Sequence, residues 1–262
     1  MISLFPIAII IALGAFAAAI THLNQGFAVY FDVVALLMVF GGTTAVGIVL
    51  VPWQLRRDLF RSAFDLLRPM KTGQKQVLND AMNTIKDRQL RVNDGAKSEI
   101  YAQTLRDGVE LIELGFSSRK IRGILLDRLA SHGRRRRKVA NAIRSLAKYP
   151  PAFGLMGTVL GLVNVMRGVS AGNDGKQTAL DMAIALIATM YGLVVANLFV
   201  NPAGELILKK TIEEESFGEI AVEAVCLLAD ETSLLECQES LNSFAAVENR
   251  IDIIRSQIEE AA

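Results

Sequence analysis

Apolar residues along this chain fall into two patterns. Four stretches are apolar on every side of a helix, at about 4–20, 27–51, 151–169 and 179–200. Each is close to the ~20 residues that a helix needs to cross a bilayer. A helix that is hydrophobic all round has no face for water, so the four stretches predict membrane spans. Elsewhere apolar residues recur at helical spacing. Ile100, Leu105, Val109, Leu111, Ile112 and Leu114 form one run, with Gly115 as its stop. Ile121, Ile124, Leu125 and Leu129 form the next. The tail repeats the pattern through Ile220, Val222, Val225, Leu227 and Leu228, and later through Val247, Ile251, Ile254 and Ile258. Nothing alternates as a strand does. The pattern predicts an all-α integral membrane protein: transmembrane hairpins at 1–51 and 151–202, a helical cytoplasmic domain at 52–150 and a helical cytoplasmic tail at 203–262.

Composition agrees with that division. The chain has 262 residues, 52% hydrophobic, with a mean hydropathy of +0.35, which excludes an ordinary soluble globule and intrinsic disorder. The first apolar stretch lacks a basic leader, and a second span follows after only THLNQG, so it reads as a retained span rather than a signal peptide. Charge sets the orientation. Residues 52–150 hold 22 Lys and Arg against 10 Asp and Glu, while 203–262 hold 4 against 14. Lys and Arg accumulate on the cytoplasmic side, so 52–150 and both termini are predicted to lie there. The basic and acidic segments are expected to pack together. The run Arg134 to Lys138 is also suited to anionic lipid headgroups. A net charge of +1 gives no reason to expect nucleic acid.

Candidate chemistry is sparse. Cys226 and Cys237 are too few for a disulfide framework, and His22 and His132 leave little for a metal site. No nucleophile–His–acid set is present, so neither an enzyme nor a cofactor is predicted. Asp32 and Asp181 fall near the outer ends of their predicted spans, and no charged residue occupies the middle of any span. An acid that titrates in the membrane would then have to come from another chain. Thr158 and Thr189 sit at similar depth in spans three and four. Each hydroxyl has two readings, a bond to its own i−4 carbonyl or a place on an ion route. Gly154, Gly157 and Gly161 give span three a small-residue face for close helix packing. Pro151 and Pro202 mark inner span ends, as boundary punctuation or as hinges.

The string PAFGLMGTVLGLV, Pro151 to Val163, resembles the third span of the MotA/PomA stator subunits of the bacterial flagellar motor. AIALIATMYGLVVAN, Ala183 to Asn197, followed by Pro202, is similar to the fourth span, and FDVVALLMVFGGT, Phe31 to Thr43, to the second. The span-three motif is shared with the wider MotA/TolQ/ExbB proton channel group. The resemblance implies a homopentamer in the bacterial inner membrane around two copies of a single-span, peptidoglycan-binding MotB/PomB partner. That partner's membrane aspartate binds the ion, and the pentamer pushes the rotor protein FliG. It implies that Pro151 and Pro202 match the family's functional prolines and that Thr158 and Thr189 match its pore threonines. The family's rotor-facing Arg and Glu correspond to Lys86 and Asp94, with Arg88 beside them, although the surrounding Gly and Leu of that motif are missing. Sodium-driven relatives carry two adjacent threonines in span four. Here the first is Ala188, which implies H+ rather than Na+ as the coupling ion. An ExbB/TolQ-type energiser and a non-conducting scaffold remain as alternatives.

Overall fold

The computed structural model describes residues 4–22, 30–66, 73–87, 99–172 and 174–252. Every regular element among them is helical. The order is α1 (Leu4–His22), α2 (Val33–Leu36), a π-helical turn (Leu37–Gly41), α3 (Gly42–Leu50), α4 (Trp53–Leu66), α5 (Gln74–Asp87), α6 (Glu99–Glu113) and α7 (Ser118–Leu146). Then come α8 (Tyr149–Ser170), α9 (Gly175–Val194), a second π-helical turn (Val195–Val200), α10 (Asn201–Ala229) and α11 (Leu234–Asn242). Among the described residues three continuous helices are long and apolar enough to cross a membrane: Val33–Leu50, Ser118–Ser170 and Gly175–Ala229. The apolar helix Pro6–His22 is shorter.

The chain divides into two compact units. One comprises Ser3–Arg68 and Arg137–Leu208, the other Pro69–Arg136 and Lys209–Ala262.

The first unit is built on the α8–α9 hairpin. Its turn carries Gly172 at a φ of 81°, and the Asp174 carboxylate caps α9 by accepting from the Gln177 N–H at 2.9 Å. The Val33–Leu50 helix lies along the hairpin, with Ala35 packed beside Ile187 and Ala188. Near its lower end Val139, Ala140, Ile143 and Ile207 form a second cluster, joined by Leu55 and Leu59 of α4. That amphipathic packing draws the ends of α4, α7 and α10 into the same unit as the apolar helices. Arg144 and Glu205 pair at 2.9 Å on its surface.

One expectation changes here. Asp32 caps the start of its own helix, its carboxylate accepting from the Ala35 N–H at 2.6 Å. Yet that helix begins beside Tyr191, 16 residues into α9, about 24 Å along it at 1.5 Å per residue. Asp32 is therefore near the outer end of its helix and deep along its neighbour. Sequence position gives the first and packing register the second.

The second unit has its own apolar core, to which α5 contributes Val77, Leu78 and Ala81, α6 Tyr101 and Leu105, α7 Ile121 and Leu125, and α10 Ile220, Ala221 and Val225. The α6 helix ends where the sequence predicts. Gly115 adopts a φ of 76°, and the Phe116 N–H reaches back to the Leu111 carbonyl at 3.1 Å. Basic α7 and acidic α10 are joined by Arg122–Glu223 at 2.8 Å and by Arg136–Glu214. The tail departs in part from expectation: it is predicted helical through Val247 and Ile251, but α11 stops at Asn242 and only a 3-10 turn, Val247–Asn249, follows. The Asn242 amide donates to the Ile251 carbonyl at 2.9 Å and accepts from the Ile251 N–H at 2.7 Å. Gln74 of α5 donates to the Phe244 carbonyl at 2.7 Å. These side-chain bonds compete with helical pairing and win. Ile254 and Ile258 lie outside the described residues.

Candidate functional site

The site grows from the small residues of α8. Pro150 and Pro151 stand in its first turn, where a missing N–H costs nothing. Beyond them Gly154 and Gly157 lie on the buried face, opposite Ala185, Ala188 and Gly192 of α9. A Cβ on Gly154 would stand 2.7 Å from the Ala188 carbonyl oxygen, and one on Gly157 2.6 Å from the Ala188 methyl. One on Gly161 would overlap Ala185. The two backbones therefore touch, as a small-residue face permits.

That approach brings the threonines together. The Thr158 and Thr189 hydroxyls hydrogen-bond each other. Thr189 also donates to the Gly154 carbonyl at 3.0 Å, and Thr158 lies 3.3 Å from both the Gly154 and Ala185 carbonyls. Gly154 is the i−4 residue of Thr158, and Ala185 that of Thr189. The bond to a threonine's own turn and the bond across the helix pair are thus both present. Four oxygens share two hydroxyl protons, so the cluster keeps acceptor capacity for a cation or for the hydrogens of water. Both threonines are half-buried.

The other predicted residues are distributed around this cluster. Ala188 is 3% exposed, held between Gly157 and Ala35. Pro151 packs against Gly192, where a Cβ would collide with the Pro150 carbonyl. Pro202 enters α10 directly after the second π-helical turn. Lys86 is exposed at the end of α5, in the second unit. Arg88 and Asp94 lie outside the described residues. Among the described residues no three His, Cys, Asp or Glu side chains group as a metal site. Cys226 and Cys237 are buried and free, and burial pushes both thiols up from their ordinary value.

Tyr191 emerges only in three dimensions. Its hydroxyl donates to the Tyr30 carbonyl and accepts from the Asp32 N–H at 3.3 Å. A tyrosine in an otherwise apolar span is the signal available in sequence, because a phenol placed there needs a partner. Which partner is a matter of register.

Residues 96–217 match the model of the MotA/TolQ/ExbB proton channel family. The uncharacterised protein YtxD of Bacillus subtilis (strain 168) is 28% identical over 210 residues, covering 77% of this chain and 74% of that protein. Motility protein A of Cereibacter sphaeroides is 22% identical over 204 residues, covering 76% and 78%. The solved structure of C. jejuni MotAB shares the fold at a TM-score of 0.83 and 12% identity, over 97% of this chain and all of that one. Long apolar helices joined by a half-buried oxygen cluster are the features of a membrane protein. By these matches the chain is similar to the MotA/TolQ/ExbB proton channel family, over residues 96–217 of its sequence.

Proposed function

We propose that this chain is the ion-conducting stator subunit of a bacterial flagellar motor, of the MotA/PomA kind. The observation that carries the reading is the cluster of Thr158, Thr189, Gly154 and Ala185 oxygens between α8 and α9, within the residues that match a proton channel family. Four helices cross the inner membrane: α1, Val33–Leu50, α8 and α9. Both termini are cytoplasmic, a direction supported by the basic excess of residues 52–150. An apolar helix ahead of Val33–Leu50 favours the two-hairpin MotA layout over that of ExbB or TolQ.

Leu155, Met156, Val159 and Met166 leave α8 with a large exposed apolar face. Apolar area of this kind suits lipid and neighbouring spans, which supports a homopentamer around two copies of a single-span, peptidoglycan-anchored MotB/PomB-like partner. The partner supplies the carboxylate that binds the ion, and the threonine oxygens of this chain line its route. Lys86, with Arg88 and Asp94, faces the rotor protein FliG. Part of the run Arg134 to Lys138 meets anionic headgroups. The coupling ion is H+. Sodium needs several oxygen ligands to replace its water, and Ala188 offers none where sodium-driven relatives have a second threonine.

Reconstitution tests the reading. Proteoliposomes holding the chain with its partner should carry an H+ current that the chain alone does not, and external sodium should leave that current unchanged. A proton leak of equal size from the chain alone would overturn it.

A further inference from the structure

Span four is held from two sides within one turn. On the α8 side, Thr189 donates to the Gly154 carbonyl at 3.0 Å and pairs with Thr158, and the Ala188 methyl sits over Gly157. Two positions further on, Tyr191 projects about 200° around the helix, at 100° per residue. There its hydroxyl joins the Tyr30 carbonyl and the Asp32 N–H, at the start of the second apolar helix. Below this turn the helix loosens. Val195–Val200 is π-helical, the Asn201 N–H reaches the Ala196 carbonyl, and Pro202 has no N–H to offer Leu198. Tyr191 is thus the last polar anchor among the described residues before the loosened stretch.

We propose that Tyr191 is a positioning residue for ion passage: its hydroxyl, latched to Tyr30 and Asp32, fixes the rotation of span four that keeps Thr189 against Thr158 and Gly154. This rests on the threonine pair being part of the ion route. Without the hydroxyl, α9 is restrained on one side only, and the Tyr30 carbonyl and Asp32 N–H lose their partner in a medium that offers no replacement. A small rotation of α9 then separates the two threonines, because their contact depends on backbones that already touch.

The test uses the full-length chain co-assembled with its membrane partner, in proteoliposomes, with H+ flux measured across a pH series. Four forms are compared: wild type, Tyr191→Phe, Thr189→Ala and the double variant. Tyr191→Phe keeps the ring and removes only the hydroxyl. The expected result is normal assembly, maximal flux lowered about three- to tenfold, the span of one lost neutral hydrogen bond, and a shifted pH of half-maximal flux. The double variant should be no worse than Thr189→Ala alone, since a positioning residue has nothing to position once its target is gone. Wild-type flux in Tyr191→Phe overturns the proposal. So does a double variant in which the two losses multiply, or a Tyr191→Phe complex that fails to assemble, which would make the bond structural only. If Thr189→Ala itself conducts normally, the threonine route fails first and the positioning role falls with it.

Discussion

Ala188 shows how little room a residue in this hairpin has. Its methyl occupies the space a Gly157 side chain would need, and only 3% of the residue is exposed. Ala188→Thr therefore adds a hydroxyl and a methyl to a closed contact, an overpacking that costs about 1–3 kcal/mol. The expected outcome is a lower melting temperature of the assembled complex together with an altered ion dependence of its flux. An unchanged ion dependence in an assembled variant would remove position 188 from the choice of ion. His132, on α7 in the second unit, allows a pH prediction. Desolvation and then Arg136 hold its imidazole below the ordinary value, Arg135 adds to this, and Glu99 and Glu215 oppose it. A base depressed in the fold takes up its proton first in the unfolded chain. Its contribution to stability is full above the unfolded value of about 6.5 and is lost as pH falls through and below it. His132 is nonetheless exposed, so solvent screens much of this effect; thermal unfolding of the complex should show only a shallow acid slope, and His132→Gln should flatten it. An unaltered slope in the variant removes His132 from the account.

Among the elements, the helix from α9 into α10 combines a π-helical irregularity with a proline. The π-helical turn Val195–Val200 stands just before Pro202, so the wide turn and the missing N–H weaken the same stretch of backbone. Kinks in helices arise at such places. Pro202→Ala returns an amide to position 202 and lets the turn tighten toward regular α-helix, worth up to ~3 kcal/mol in a helix interior. The complex should then assemble normally, melt at a higher temperature and drive motility poorly. Full motility would reduce Pro202 to a boundary marker. Pro151 differs, being packed against Gly192 in a first turn that needs no N–H, so its replacement is expected to disturb packing more than bending.

For the whole molecule the question is what the second unit touches. Lys86 is exposed at the end of α5, where a rotor could reach it. Exposed ion pairs contribute only ~0.2–1 kcal/mol each, so neutralising Lys86 alone should change motility little. Lys86→Glu together with Asp94→Lys should lower it clearly, with partial recovery when the rotor carries the complementary reversals. Tethered-cell torque measures this, and normal torque in the double reversal would move the contact elsewhere. The ion pairs Arg122–Glu223 and Arg136–Glu214 are internal to the unit. They account for part of the opposite charges of the basic and acidic segments without any partner.

The sequence alone determined the helical class, the apolar stretches, the end of α6 at Gly115 and the pairing in depth of Thr158 with Thr189. These follow from periodicity, from glycine's tolerance of positive φ and from counting residues along two antiparallel helices, all of them local properties. It also identified Gly154, Gly157 and Gly161 as a contact face, because small residues at that spacing serve little else in a membrane. Only the tertiary structure decided which surfaces meet that face. Register between helices is set by the sum of many packing contacts, and no single residue records it. Register places Asp32 deep beside Tyr191 instead of at the rim of the bundle, encloses Ala188 between Gly157 and Ala35, and turns two separate hydroxyls into one cluster of oxygens. The same holds for the tail beyond Asn242. Its apolar spacing is helical, yet the amides of Asn242 and Gln74, brought there by the packing of α11 on α5, leave it only the 3-10 turn Val247–Asn249 in place of a continuing α-helix.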